Sequence, residues 1–506
     1  MKTLVILSVM IILAYPEAAK AQIGIFEASG DVGSPKNPGS TVYHADEQVY
    51  TVKGSGYNIW FGRDEFQFAQ RRISGDFILT ANFSLVGEGV DPHRKVGWMV
   101  RESLDDDAAH ISATLHGDGL TVLQWRRLKG AHMRDPQDEI FAPKSNYQIL
   151  QLERMGNTMI MRAAQAGEPL QTIGEHEMSD LPDEVFAGIF VCSHNEDIVE
   201  EANVWNARIE IPVDDDYNPN DQGFLGSHLE IMNVFDGKRK IIHSYEKRFE
   251  APNWMPGGNS LLYNQEGSLY TIDIDGSNIT KLNTGFADRN NNDHGISFNG
   301  KLLAISHHRD GLPGGGSTIY VLPVEGGEPQ QVTEKTPSYW HGWAPNNREV
   351  VYVAQREADN YDIFKTDIKG GEEIKLTDYT GSHADGPEYS PDGRYIYYNA
   401  CPTGTMQIWR MKPDGSQKEQ ITFDQYNDWF PHISPDGKWI AFISFPTHID
   451  PRSHPSYKRV MLRLMPAAGG APKTIAYLYG GQGTINVPSW SPDSKSIAFV
   501  SNSRPL

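Results

Sequence analysis

One short phrase occurs six times in the second half of the chain, and its spacing limits the fold more than any other feature. It is clearest in Pro387-Glu388-Tyr389-Ser390-Pro391-Asp392-Gly393 and in Pro431-His432-Ile433-Ser434-Pro435-Asp436-Gly437. A third copy is Pro488-Ser489-Trp490-Ser491-Pro492-Asp493-Ser494, and weaker ones begin at Pro252, His294 and His341. The second residues of the copies are Asn253, Gly295, Gly342, Glu388, His432 and Ser489, separated by 42, 47, 46, 44 and 57 residues. A period of roughly 40 to 50 residues built from short strands marks a β-propeller with four strands per blade. Each unit reads as an inner strand, a Ser-Pro-Asp-Gly turn, an apolar second strand, a variable loop, and a hairpin turning on Gly-Gly or Asp-Gly.

The ends of the array predict how the ring closes. The last copy has room for only two strands before Leu506, while 228–234 and 240–244 read as a hairpin without inner partners. Joined, they complete a sixth blade and cover edge strands that would otherwise lie open. Upstream, residues 22–212 lack the period and alternate as half-buried strands, which predicts a two-sheet sandwich. An Asp-, Asn- and Pro-rich linker at 213–223 precedes the propeller at 224–506. The expected fold class is therefore all-β: a jelly-roll β-sandwich followed by a six-bladed propeller closed by strands from both ends of the array.

Composition narrows the function classes. With 45 Lys and Arg against 65 Asp and Glu, the net charge of -20 excludes a basic face for nucleic acid and disfavours an anionic membrane surface. Lys2, the apolar run 4–14 and Ala19-Lys20-Ala21 read as a signal peptide over 1–21, which predicts a periplasmic or secreted protein. No lipid-accepting cysteine follows it, and no later segment is long and apolar enough to insert into a membrane. Cys192 and Cys401 fall in different predicted domains and are expected to stay free.

The repeat resembles the TolB-like propellers, relatives of the WD-repeat class. Such a resemblance implies the fold; its members include docking modules, parts of peptidases, and lyase scaffolds such as oligogalacturonate lyase. In the first domain, Val96-Gly97-Trp98-Met99-Val100-Arg101-Glu102-Ser103 and Ala187-Gly188-Ile189-Phe190-Val191-Cys192-Ser193-His194 resemble the concanavalin A-like superfamily, which implies glycan binding in many relatives. Trp98, Trp125 and Trp205 are the candidates for stacking on a sugar ring, with burial as the alternative.

Chemistry is expected where the loops before the inner strands meet those between second and third strands, because both sets open on one rim. That rim collects histidines, and His294 and His341 occupy a slot that is proline in the other copies. His294, His341, His432 and Asp293 are the expected ligands of a divalent cation, with Ca, Mn and Zn not distinguished. His308, Tyr339, Arg356 and His383 are candidates for base, proton donor or carboxylate clamp, and Trp340, Trp429, Asp385 and Asp428 for substrate contacts. The leading expectation is β-elimination on a saccharide or glycoside ligand, with the metal stabilising an enolate. The alternatives are a non-catalytic TolB-like envelope or glycan-binding scaffold that docks a protein partner, and a metal-dependent glycoside hydrolase. A Ser-His-Asp hydrolase is excluded, because no G-x-S-x-G elbow or α/β domain is present.

Overall fold

A computed structural model describes residues 23–357, 360–379 and 381–504. Residues 1–21, expected from the sequence to be a signal peptide, lie outside them. Both cysteines are free and buried, and among the described residues no helix is long and apolar enough to cross a membrane.

The second half forms six radial antiparallel sheets. Blade one comprises Phe249–Trp254, Ser260–Gln265, Ser268–Asp273 and Thr280–Lys281; the next four repeat that order, their inner strands being Asn290–Ile296, Ser338–Trp343, Ala384–Tyr389 and Asn427–Ile433. The sixth blade joins the two ends of the array: Ser496–Ser503 pairs over eight residues with Gly226–Asn233, which pairs in turn with Arg239–Tyr245. Its innermost strand is reduced to a single bridge between Trp490 and Ile497. The apolar second strands carry the cores between blades, as in Leu303 and Ile305 or Ile440 and Phe442.

The repeated phrase has two structural tasks. Its serine and aspartate close each turn on themselves. Ser390, Ser434 and Ser491 donate to Asp392, Asp436 and Asp493 at 2.6 to 2.7 Å, and each serine also accepts a backbone amide from the next strand. Its aromatic position ties neighbouring blades together. Trp343 Nε1 donates to the Gly295 carbonyl, and Trp490 Nε1 to the His432 carbonyl, each at 2.9 Å.

The first half is two seven-stranded antiparallel sheets around a shared core. One orders Ala28–Val32, Phe66–Ile73, Val185–Cys192, Lys95–Arg101, His110–His116, Thr121–Arg126 and Glu139–Phe141. The other orders Gln171–Glu177, Thr158–Ala164, Ile149–Met155, Phe77–Leu85, Asn195–Glu210, Val49–Gly56 and Ser40–His44. Phe77, Leu79 and Phe83 from one meet Trp98, Val100 and Ile111 from the other.

The sandwich is riveted to the propeller by buried charge. Arg208 and Arg239 both bind Glu230, at 2.8 and 2.7 Å, and the Tyr479 amide donates to Glu210 at 3.0 Å. Asn206 donates to the Gly237 carbonyl at 2.8 Å, and Gln48 exchanges two bonds with the Ile241 backbone.

Candidate functional site

Each inner strand breaks its pairing register just as it reaches the channel. The breaks fall between Glu250 and Asn253, Asn290 and His294, Trp340 and Gly342, Asp385 and Glu388, and Trp429 and His432. A β-bulge re-aims side chains out of the pleat, and here five bulges turn Glu250, Asp293, His341, Asp385 and Trp429 into one mouth. In blades one, four and five the residue two places before the phrase's second position takes the left-handed conformation: Ala251 (φ 55°), Gly386 (58°) and Phe430 (54°). Glycine serves this backbone at Gly386; at Ala251 and Phe430 an ordinary side chain is held in it by the surrounding blades.

The result is a cavity of about 670 Å³, lined from both loop sets. The loops and inner strands supply Asp293, Tyr339, His341, His383 and Asp385; the loops between second and third strands supply His308, Arg452 and His454. Around these stand the amides Asn290, Asn291, Asn292, Gln482 and Asn486. The aromatic wall includes Tyr361, Trp429 and Phe430, with Phe430 stacked on His341 at 5.9 Å.

At its centre, His341 Nε2 lies 3.1 Å from Asp385 and 4.0 Å from Asp293. Burial alone would pull the His341 pKa down, but the two carboxylates outweigh it and the pKa is raised. Asp385, also buried, is held low by His341. Burial pushes Asp293 up to about 7, with His341 opposing and Asp385 and Glu250 adding to the rise. Burial lowers the pKa of His454, whose Nε2 sits 3.8 Å from Asp385. His341 and Asp385 thus form an ion pair, beside a carboxyl poised between its two protonation states near neutral pH.

Other expected residues lie elsewhere. His294 is completely buried, faces the backbone of Ala251 and Asn292, and is pushed down by burial to about 3. His432 has both nitrogens occupied at 2.6 Å, by Glu388 and by the Ile485 carbonyl. Three imidazoles therefore do not meet around one ion, and among the described residues no group of three or more His, Cys, Asp or Glu is placed to hold a metal. Arg356 is not an open carboxylate clamp, since Glu373, Ser338 and the Pro337 carbonyl already take its guanidinium. Trp340 is wedged over Gly295 between blades rather than offered as a platform. Asp428 is spent inside blade five on Ser444 at 2.7 Å and Arg463 at 3.1 Å. Trp429 lines the cavity but is almost wholly buried, with its ring edge-on to His454 at 4.5 Å.

The sequence reading passed over Glu250, Tyr361 and the asparagine run 290–292. Glu250 had a signal: it stands three places before the phrase's second position, as do Asp385 and Trp429. Arg248 pairs with it at the cavity edge.

Comparison with known proteins fits this architecture. A family model described as the TolB β-propeller domain matches residues 341–450. An uncharacterised protein of Agrobacterium fabrum (strain C58) is 46% identical over 279 residues, which cover 55% of this chain and 93% of that protein. A solved structure from Agrobacterium tumefaciens, described as that of a candidate TolB, is 45% identical with a TM-score of 0.52, and the match covers 55% of this chain and 99% of that one. An uncharacterised peptidase of Bacillus subtilis (strain 168) is 24% identical over 217 residues, 40% of this chain and 30% of its own length.

Proposed function

Because the chain belongs to the TolB-like β-propeller family, we propose that it is a docking protein whose channel mouth receives a cationic segment of a partner. The observation that carries this reading is the excess of carboxylate at the centre of the mouth, where Asp293 and Asp385 share one imidazole. Asp385 takes His341 at 3.1 Å, whereas Asp293 has that imidazole only at 4.0 Å. A buried carboxylate whose nearest cation stands 4.0 Å away is only partly offset, so a lysine or arginine entering beside Asp293 gains a strong charge-assisted contact. Glu266 in the wall favours the same sign of ligand, whereas Glu250 is already paired with Arg248. Asparagine and glutamine side chains there can both donate to and accept from an extended backbone.

His308, Tyr339 and His383 do line the cavity, but the expected clamp Arg356 and the expected ligands His294 and His432 do not, which favours docking over elimination. A β-eliminating site needs a cation or clamp on the substrate carboxylate, and Arg356 and His432 are already engaged. Export and the concanavalin A-like reading of the sandwich stay within this proposal. They are supported by the charged and apolar start of the chain and by two seven-stranded sheets around one core.

The test is calorimetry with a Gly/Ser peptide carrying one central arginine, beside its glutamate counterpart. A cation favours ionised Asp293, so binding releases a proton while Asp293 is protonated. Affinity should therefore rise with pH through about 7. The arginine peptide is expected to bind, and Asp293→Asn to weaken it about tenfold or more while removing the pH dependence. Preference for the glutamate peptide, or unchanged binding by Asp293→Asn, rejects the reading. Unsaturated product from oligogalacturonate, lost in His341→Ala, would restore elimination.

A further inference from the structure

A second cavity, of about 330 Å³, lies where the sandwich meets blades five and six. Its wall combines Trp205, Asn82 and Gln148 of the sandwich with Phe235, Asp236 and Lys473 of the propeller. From this juxtaposition we infer that the cleft is a binding site for a neutral saccharide, with Trp205 as its stacking platform. This inference does not depend on what enters the propeller mouth.

The backbone turns Trp205 into the cleft. Strand Asn195–Glu210 shifts register against Phe77–Leu85 between Trp205 and Arg208, and Asn206 takes the left-handed conformation at φ 54°. Asn206 is locked there by Asn82 at 3.1 Å, the Gly237 carbonyl at 2.8 Å and the Arg239 amide at 2.8 Å. The bulge thus fixes Trp205 on both sides of the domain junction. Of the three tryptophans that the sequence offered for stacking, Trp98 lies in the core and Trp125 stacks on His176 at 3.8 Å. Trp205 alone of the three is half-exposed in a cavity.

Its polar surroundings suit hydroxyl groups. Among the described residues, neither the Trp205 indole N–H nor the Gln148 amide has a protein hydrogen-bond partner, and no aromatic ring stacks on Trp205. An indole face packs on the C–H surface of a pyranose, while free amides exchange donors and acceptors with its hydroxyls. The volume is in the range of small-molecule sites and takes one or two rings. The net charge of -20 disfavours a uronate, and within the wall Asp236 is balanced by Lys473, so the cleft itself does not call for an anionic sugar.

The test is titration of the intact chain with cellotriose, chitotriose and trigalacturonate, followed by calorimetry. At least one of the two neutral trisaccharides is expected to bind. Trp205→Ala should weaken binding about tenfold or more, and Gln148→Ala, at an exposed position whose side chain makes no hydrogen bond to protein among the described residues, several-fold. Unchanged melting of the Gln148 variant separates loss of binding from loss of fold. The inference is overturned if neither neutral sugar binds, if trigalacturonate binds best, or if both variants bind as the parent does.

Discussion

At the scale of single residues, the mouth is a competition between burial and charge at His341. Burial favours neutral imidazole, and Asp293 with Asp385 favours imidazolium strongly enough to win. Removing the nearer carboxylate should reverse the outcome. Asp385→Asn is expected to drop the His341 pKa below that of an ordinary histidine, followed by nitrogen-15 NMR of the ring, while keeping a hydrogen-bond acceptor in place. A His341 that stays protonated at neutral pH in this variant would mean that Asp293 alone holds the charge. The histidines that the sequence made conspicuous behave differently. His294, with no carboxylate beside it, yields to burial, and His432 is tied between Glu388 and a carbonyl. Periodic registration put these rings on equivalent strands, but the one or two extra residues in each bulge decided which of them faced the channel.

At the scale of the element, the phrase provides a controlled comparison. Trp254, Trp343 and Trp490 occupy the same position in three copies. The indoles of Trp343 and Trp490 donate to the preceding blade, whereas Trp254 Nε1 is buried without a partner. Replacement by phenylalanine removes the N–H and keeps an aromatic ring. Trp343→Phe and Trp490→Phe should each lose about 1–2 kcal/mol in denaturant titrations. Trp254→Phe should lose less, because it removes an unsatisfied donor; equal losses at all three positions would show that ring volume, not the bond, matters. The strands and their closure could be read from sequence because turn chemistry and apolar alternation are local and repeat in every blade. The bulges could not, since they depend on how neighbouring blades press on Ala251 or Phe430. For the same reason Arg356 read as a free cation: its partner Glu373 comes from the turn just before the blade's outer strand, a pairing that spacing does not reveal.

At the scale of the whole molecule, the junction of sandwich and propeller links stability to pH through two buried glutamates of opposite behaviour. Burial works against ionised Glu230, but Arg208 and Arg239 outweigh it and hold its pKa low. Glu230 therefore contributes stability above its unfolded pKa, and that contribution is lost as acid protonates it. Glu210 shares those arginines without a direct bond to either, and burial pushes it up to about 7. Its sign is the reverse. Folded and unfolded chains are both protonated below the ordinary glutamate pKa of about 4.3. From there to about 7 the unfolded chain releases its proton first, so stability falls as pH rises. At about 1.4 kcal/mol per unit, the loss is bounded at roughly 4 kcal/mol. Glu210→Gln keeps an oxygen for the Tyr479 amide and cannot ionise. Its melting temperature relative to the parent should therefore climb between pH 5 and pH 8. A constant difference across that range would show that Glu210 is already ionised in the folded junction at pH 5 and would overturn the raised pKa.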